Sequence, residues 1–407
     1  MVVDYNRANR RLLYVVGFLY FAVSNLSRML QHAGIPREAT YVLFMALLAV
    51  YFAKNLRAFR TVDFVYYAVV GSVAGLGLMK YASFIGSQLD IFAVLGLFLP
   101  AYLFFRFFSR HENILSECVT AAGWFSAVYL LPYYVFVIRG NVDYSMPYAY
   151  WVSFPICVLY HRFFETRRWL CLGGSILLYA TLVLIGCRGA LLLTTLLCLY
   201  TTLDAARRYR WRWTSGRILC LLGSLAFVTL LALSMDSMLA FLAKFSETSR
   251  NIHKLFEGNY LESTTRDAIY QTCQQWISDR PGGYGPLASR QLLLWDNYPH
   301  SLWYELQLDF GVLIGISLFC FLWFITLYNM YAYRDSKLSI MVNYMAIVGM
   351  GSLMRSSSYY YEIYVPAMCG LFVSRLMDAR RMRVRGPARH MEIPPSAGLG
   401  RTDSHAR

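Results

Sequence analysis

Apolar and polar positions along this chain do not follow one short period; they come in long blocks. Apolar stretches fall near 12–30, 39–53, 61–79, 84–105, 117–138, 147–164, 169–186, 189–203, 217–243, 299–328, 338–354 and 359–377. Most have the length a helix needs to cross a hydrocarbon core, roughly 17–25 residues. Such blocks must be helical, because lipid offers no partner to an unpaired backbone amide. The second and eighth blocks are short and are expected to extend into their flanks. The pattern predicts an all-α polytopic membrane protein of about twelve transmembrane helices, with one large loop between the ninth and tenth. It divides the chain into membrane helices over 1–243, a loop over 244–298, further membrane helices over 299–377 and a polar tail over 378–407.

Charge sets the orientation. Only 15% of residues are charged, against about a quarter in soluble domains. The formal net charge of +15 is not gathered on one surface, which excludes a nucleic-acid reading. Instead Arg and Lys recur between apolar blocks, on alternate sides. Arg7, Arg10 and Arg11 precede the first block; Lys54, Arg57 and Arg60, Arg106 and Arg110, Arg162, Arg167 and Arg168, Arg207 to Arg217, and Arg334 with Lys337 follow on the same side. The short connections on the other side carry only Arg28, Arg37, Lys80, Arg139, Arg188 and Arg355. By the positive-inside rule both termini are expected in the cytoplasm and the large loop outside. The first block, long and without a small-residue cleavage site, reads as an uncleaved helix. The tail, basic and then rich in Pro, Gly and Ser, reads as disordered and drawn to anionic membrane lipids.

The cysteines add little. Of nine, only Cys273 lies in the large loop, and none forms a CxxC pair. No disulfide framework, metal site or cofactor is expected.

Three places carry candidate chemistry. Arg188, in Ile185-Gly186-Cys187-Arg188-Gly189-Ala190, stands between two apolar blocks with almost no loop around it. A charge at membrane depth is costly, so it either serves a ligand or snorkels from a tight hairpin. In the large loop, Ser263-Thr264-Thr265-Arg266-Asp267 reads as a helix start. The run to Ile277 is amphipathic, with Arg266, Tyr270, Cys273 and Ile277 on one face. Pro281-Gly282-Gly283-Tyr284-Gly285-Pro286 ends it. That helix is expected to lie on the outer leaflet, where Arg266 is either a ligand or simply solvated. His300, in Tyr298-Pro299-His300-Ser301, opens the tenth block; it suits a general base, or an interfacial histidine bonded to water. Arginine forks suit phosphate oxygens, so two such arginines and a base on one membrane face fit a pyrophosphate-linked lipid.

These segments, in this order, resemble the O-antigen ligase and polymerase superfamily. Cys187-Arg188-Gly189-Ala190-Leu191 is similar to its Ser-Arg-Gly element. Arg266-Asp267-Ala268-Ile269-Tyr270 through Tyr284-Gly285 is similar to its large-loop element. His300-Ser301 through Asp309-Phe310-Gly311-Val312-Leu313-Ile314-Gly315 is similar to its loop-exit signature, and the likeness spans residues 180–316. Cys187, Ser301 and Asp309 stand where the family usually has serine, asparagine and glutamate. The resemblance implies a metal-independent, inverting glycosyltransferase of the bacterial cytoplasmic membrane, with its active site on the periplasmic or extracellular face. Arg188 and Arg266 would hold the pyrophosphate of an undecaprenyl-pyrophosphate-linked oligosaccharide, and His300 would activate the acceptor hydroxyl. Arg290, Arg355, Tyr270 and Tyr284 are further substrate-binding candidates, although the tyrosines beside Arg355 also fit an interfacial aromatic belt. Glu305 and Asp309, one turn apart, could order Arg266 or a neighbour, and ordinary helix–helix pairing suits them equally.

The function expected is repeat-unit polymerisation of a cell-surface polysaccharide, with a lipid-linked glycan as acceptor and a chain-length regulator as a possible protein partner. An O-antigen ligase, with lipid A core as acceptor, and transfer to a protein hydroxyl are alternatives. In a different class, a transporter or flippase would suit the spans, with Asp90 and Glu362 as membrane-depth acids.

Overall fold

A computed structural model describes residues 7–80, 98–133, 146–185, 187–208, 264–293, 299–355, 358–359 and 362–385. Among these residues the chain is helical and contains no strand. The early helices are α1 (Arg7–His32), α2 (Arg37–Lys54), α3 (Thr61–Lys80), α4 (Leu99–Phe108), α5 (Glu112–Tyr133), α6 (Met146–Thr166), α7 (Trp169–Ile185) and α8 (Arg188–Arg208). Beyond residue 263 come α9 (Thr264–Asp279), α10 (Ala288–Leu292), α11 (Leu302–Phe310) and α12 (Val312–Ala332). α13 (Ser339–Tyr344) runs through a π turn at Met345–Gly349 into α14 (Met350–Leu353), and α15 (Tyr364–Arg385) closes the described chain. Four stretches, Arg10–His32, Glu112–Tyr133, Gly189–Arg208 and Val312–Ala332, are long and apolar enough to cross a membrane. The block at 217–243, the first part of the large loop and most of the tail lie outside the described residues.

Small residues let the helices approach closely, as they do where lipid supplies no hydrophobic drive between helices. Gly17 of α1 faces Cys118 of α5, and Gly123 of α5 sits against Val158 of α6. Gly370 of α15 rests on the Tyr102 carbonyl of α4. Buried polar pairs add links that fix register: Asn25 donates to Ser126 at 2.9 Å, Thr194 to Ser153 at 2.7 Å, and Asn329 to the Met368 carbonyl at 2.8 Å. Apolar side chains elsewhere point outward, among them Leu170, Met79 and Leu313.

One end of the bundle holds a fully buried ion pair between Arg106 and Asp63. Asp63 also accepts from the Arg60 amide at 2.7 Å, which caps α3, and from the Tyr102 hydroxyl at 3.0 Å. Arg106 donates further to the Ala58 carbonyl at 2.8 Å. Arg207 pairs with Asp335 at this same end, at 3.0 Å.

The tenth apolar block, expected as a single helix over 299–328, is two helices. α11 is only nine residues long, and the chain turns at Gly311 (φ 84°) before α12 begins. The turn after α9 is wedged into this break. A Cβ on Gly283 would strike the Gly311 amide, and one on Gly311 would lie 2.7 Å from the Gly282 carbonyl carbon. One turn later, a Cβ on Gly315 would lie 2.7 Å from the Leu306 carbonyl oxygen, so α11 folds back against α12. The spacing Gly311-x-x-x-Gly315 is therefore a backbone-contact motif here.

Removing one partner of a buried ion pair leaves an uncompensated charge and costs about 3–5 kcal/mol. Asp63→Ala is expected to lower thermal stability of the detergent-solubilised protein by an amount of that order. The double variant Asp63→Ala/Arg106→Met should recover most of the loss. Equal melting of Asp63→Ala and wild type would show that the pair does not hold α3 to α4.

Candidate functional site

The site is built on the pairing of α9 with α11. α9 starts at Thr264, carries Asp267 in its first turn and stops before Pro281, as its sequence predicts. Its apolar face packs on protein. Cys273 is fully buried against Leu308 and Leu293, with Ile269, Trp276 and Ile277 around it. Tyr270 stacks on Tyr304 of α11, ring centroids 5.0 Å apart, and Gln274 donates to the Tyr304 hydroxyl at 3.0 Å. Further along, the Tyr284 amide donates to the Leu308 carbonyl at 2.8 Å and the Gly285 amide to the Asp309 carbonyl at 2.9 Å. These contacts advance together along both segments, so α9 and α11 run parallel. Arg266 and His300 stand four positions ahead of Tyr270 and Tyr304 respectively, hence at the same end of the pair. His300 itself adopts φ 51°, a left-handed conformation that histidine tolerates better than most residues and that recurs at functional sites.

Arg355 joins this group. Burial pushes the Tyr270 phenol up, while the positive charges of Arg266 and Arg355 both pull it back down, so both arginines lie near this ring. Arg266 is half-buried and Arg355 exposed. Among the described residues neither has a carboxylate within ion-pair distance.

Arg188 is the first residue of α8. Leu193 of α8 packs on Gly351 of α14, and at the far end of α8 Arg207 pairs with Asp335, just after α12. α8 and the α13–α14 segment are therefore antiparallel, and Arg188 belongs to the same end of the bundle as Arg355. Arg290 lies in α10, the short helix after the Pro286-Leu287 turn.

Glu305 and Asp309 do not order Arg266. Asp309 accepts from the backbone amides of Leu287 at 3.0 Å and Ser289 at 2.8 Å, and from the Tyr359 hydroxyl at 2.7 Å. Glu305 accepts from the Ser358 hydroxyl and from the Tyr359 amide at 3.2 Å. Asp309 thus ties down the segment that carries Arg290, and Glu305 the segment just after Arg355. Tyr284 serves its own turn: its hydroxyl donates to the Trp276 carbonyl at 3.1 Å and Arg280 lies over its ring, 5.3 Å from the centroid. These contacts brace the turn. Ser358, Tyr359 and Tyr304 were not legible as site residues. The one signal was the spacing of aromatic positions, Tyr304 one turn after His300 and Tyr359 four after Arg355. Asp90 lies outside the described residues; Glu362 stands half-buried just before α15.

What this end of the bundle offers chemically is cations held by backbone-anchored loops, beside stacked tyrosines and a histidine. It suits a polyanion with a proton to be moved nearby. No family model matches the chain, and no curated protein matches it.

α11 is too short to cross a membrane, and Asp309 on it is buried. Burial pushes its carboxyl from an ordinary 3.8 up to about 6, against the pull of the hydrogen bonds from Ser289, Tyr359 and Leu287. A raised folded-state value means the folded protein holds this proton more tightly than the unfolded chain. The associated stability is complete below the unfolded value and is lost as pH rises through the folded one. Between about pH 4 and pH 6, wild-type stability is expected to fall relative to Asp309→Asn, by on the order of 2–3 kcal/mol across the window. Thermal melts of both proteins across that range measure it; parallel pH profiles would show that Asp309 does not titrate there.

Proposed function

We propose that this protein is a membrane glycosyltransferase that polymerises lipid-linked oligosaccharide repeat units at the outer face of a bacterial cytoplasmic membrane. The observation that carries the reading is the gathering of Arg266 and Arg355 about Tyr270, with His300 and Arg188 at the same end of the bundle. The donor is a glycan on a polyprenyl diphosphate. Arg188 and Arg266 hold the diphosphate oxygens, and Arg355 lies beside them. A hydroxyl oxygen of the acceptor glycan attacks the donor's anomeric carbon. The bond from that carbon to the phosphate oxygen breaks, and the polyprenyl diphosphate leaves with the electron pair. His300 takes the hydroxyl proton. The arginines stabilise the charge growing on the leaving group, which is often the largest single catalytic contribution.

Fixed hydrogen-bond donors at a developing anion are worth about 10²–10³ in rate. Arg266→Ala and Arg188→Ala are each expected to slow polymer formation by that order, and His300→Ala by about 10²–10⁴. The measurement is the polysaccharide ladder of cells deleted for this gene and complemented with each variant at matched expression. Collapse to a single repeat unit, rescued by wild type alone, supports polymerisation. A ladder of normal length left unattached to its acceptor would replace polymerase with ligase. An unchanged ladder would overturn the reading.

A further inference from the structure

A second cationic cluster sits at the same end of the bundle, on helices the proposed donor site does not use. Arg28, near the end of α1, lies 3.7 Å over the ring of Trp151 on α6. Arg37, the first residue of α2, is close enough to act on Arg28 electrostatically, as are Tyr129 and Tyr133 of α5. The ring of His32 lies 5.7 Å from that of Tyr133, and Tyr133 lies 5.4 Å from Tyr129. Cys187, the neighbour of Arg188, belongs to the apolar cluster that these tyrosines and Trp151 pack against, which sets this group beside the start of α8.

The buried Tyr129 hydroxyl has no hydrogen-bond partner among the described residues, and neither has Nε of Arg28 or of Arg37, although Nε is equally unpartnered in the acid-paired Arg106 and Arg375. No carboxylate of the described residues lies within ion-pair distance of either arginine. Buried polar atoms are normally satisfied, so an orphaned hydroxyl beside two arginines without an acid points to a missing group. Two adjacent guanidinium groups repel unless an anion lies between them. Stacking on Trp151 occupies one face of the Arg28 fork; its N–H edge, which also reaches Tyr133, matches phosphate oxygens. The surrounding rings offer flat apolar faces of the kind that sugar rings cover.

We infer that Arg28 and Arg37, walled by Trp151, Tyr129, Tyr133 and His32, form a second diphosphate site that holds the acceptor glycolipid. This rests on the polymerase reading, in which donor and acceptor each carry a polyprenyl diphosphate. Such an enzyme needs two anion sites at one end of the bundle, whereas a single site suffices when the acceptor is anchored otherwise. The shared chemistry is a phosphate on a membrane amphiphile, which a phospholipid headgroup could also supply.

The test uses the full-length protein in phosphatidylcholine nanodiscs, titrated with undecaprenyl diphosphate, with bound lipid counted by native mass spectrometry. Wild type is expected to hold two per chain. Arg28→Gln/Arg37→Gln should hold one, and Arg266→Gln/Arg355→Gln should hold the other one, so each variant's remaining site reports that it is folded. Arg28→Lys, which keeps charge but loses the fork, should weaken the second site roughly tenfold. Two bound molecules in Arg28→Gln/Arg37→Gln would overturn the inference, as would a wild type holding one that only Arg266→Gln/Arg355→Gln removes; the polymerase reading survives either result. Loss of the Arg28-dependent molecule to an equal concentration of phosphatidylglycerol would assign the site to a headgroup and overturn it too. No binding to any of these proteins would overturn both readings.

Discussion

The break between α11 and α12 governs how the rest of the candidate site is held. A helix that stops inside a protein leaves amides and carbonyls without partners, and such groups must be satisfied when water is excluded. Here the turn after α9 supplies them. The Val312 amide donates to the Pro281 carbonyl at 2.8 Å, while the carbonyls of Leu308 and Asp309 accept from Tyr284 and Gly285. The exchange requires the two backbones to touch, and only glycine at 283 and 311 permits that. Once the turn is seated, α9 has no freedom to slide along α11, and the Tyr270–Tyr304 stack follows.

Two buried acids extend the same logic to neighbouring segments. Asp309 offers its carboxylate oxygens to amides that the short α10 leaves unpaired, and to Tyr359. Glu305, one turn away, does the same for the segment at Ser358 and Tyr359. Neither acid forms an ion pair with Arg266 or Arg355. That division of labour matters, because an acid paired with Arg266 or Arg355 would compete with an anionic ligand. Spending the acids on backbone amides holds the arginine-bearing segments and leaves the guanidinium groups their charge.

The sequence made the helices legible because lipid-facing segments need length and apolarity and little else. The bounds of α1, α2, α3 and α6 lie within a few residues of the apolar blocks. The loop helix was equally visible, since Thr264 and Pro281 bracket it. The split of the tenth block was not, because Gly311 sits in an unbroken apolar run and its turn depends on residues 281–283, distant in sequence. The roles of Glu305 and Asp309 were missed for a related reason. A carboxylate beside arginines suggests an ion pair, but backbone amides leave no mark in the side-chain sequence. Arg28 and Arg37 were read only as topology markers, since nothing in their spacing reveals that α1, α2, α5 and α6 converge.

The two ends of the bundle differ in how they treat their arginines. At one end several arginines meet acids: Arg106 with Asp63, Arg207 and Arg208 with Asp204, Arg207 with Asp335, Arg375 with Glu112. At the other, Arg28 lies on an indole, and Arg266 and Arg355 lie near the Tyr270 phenol. Aromatic faces stabilise a guanidinium without cancelling its field, since they carry no net charge. A cation kept this way costs the fold something in desolvation and gains most when an anion arrives. Aromatic faces also support arginines at the opposite end, where Arg106 lies over Phe107 and Arg375 over Tyr333, so what sets Arg28, Arg266 and Arg355 apart is that no carboxylate of the described residues pairs with them.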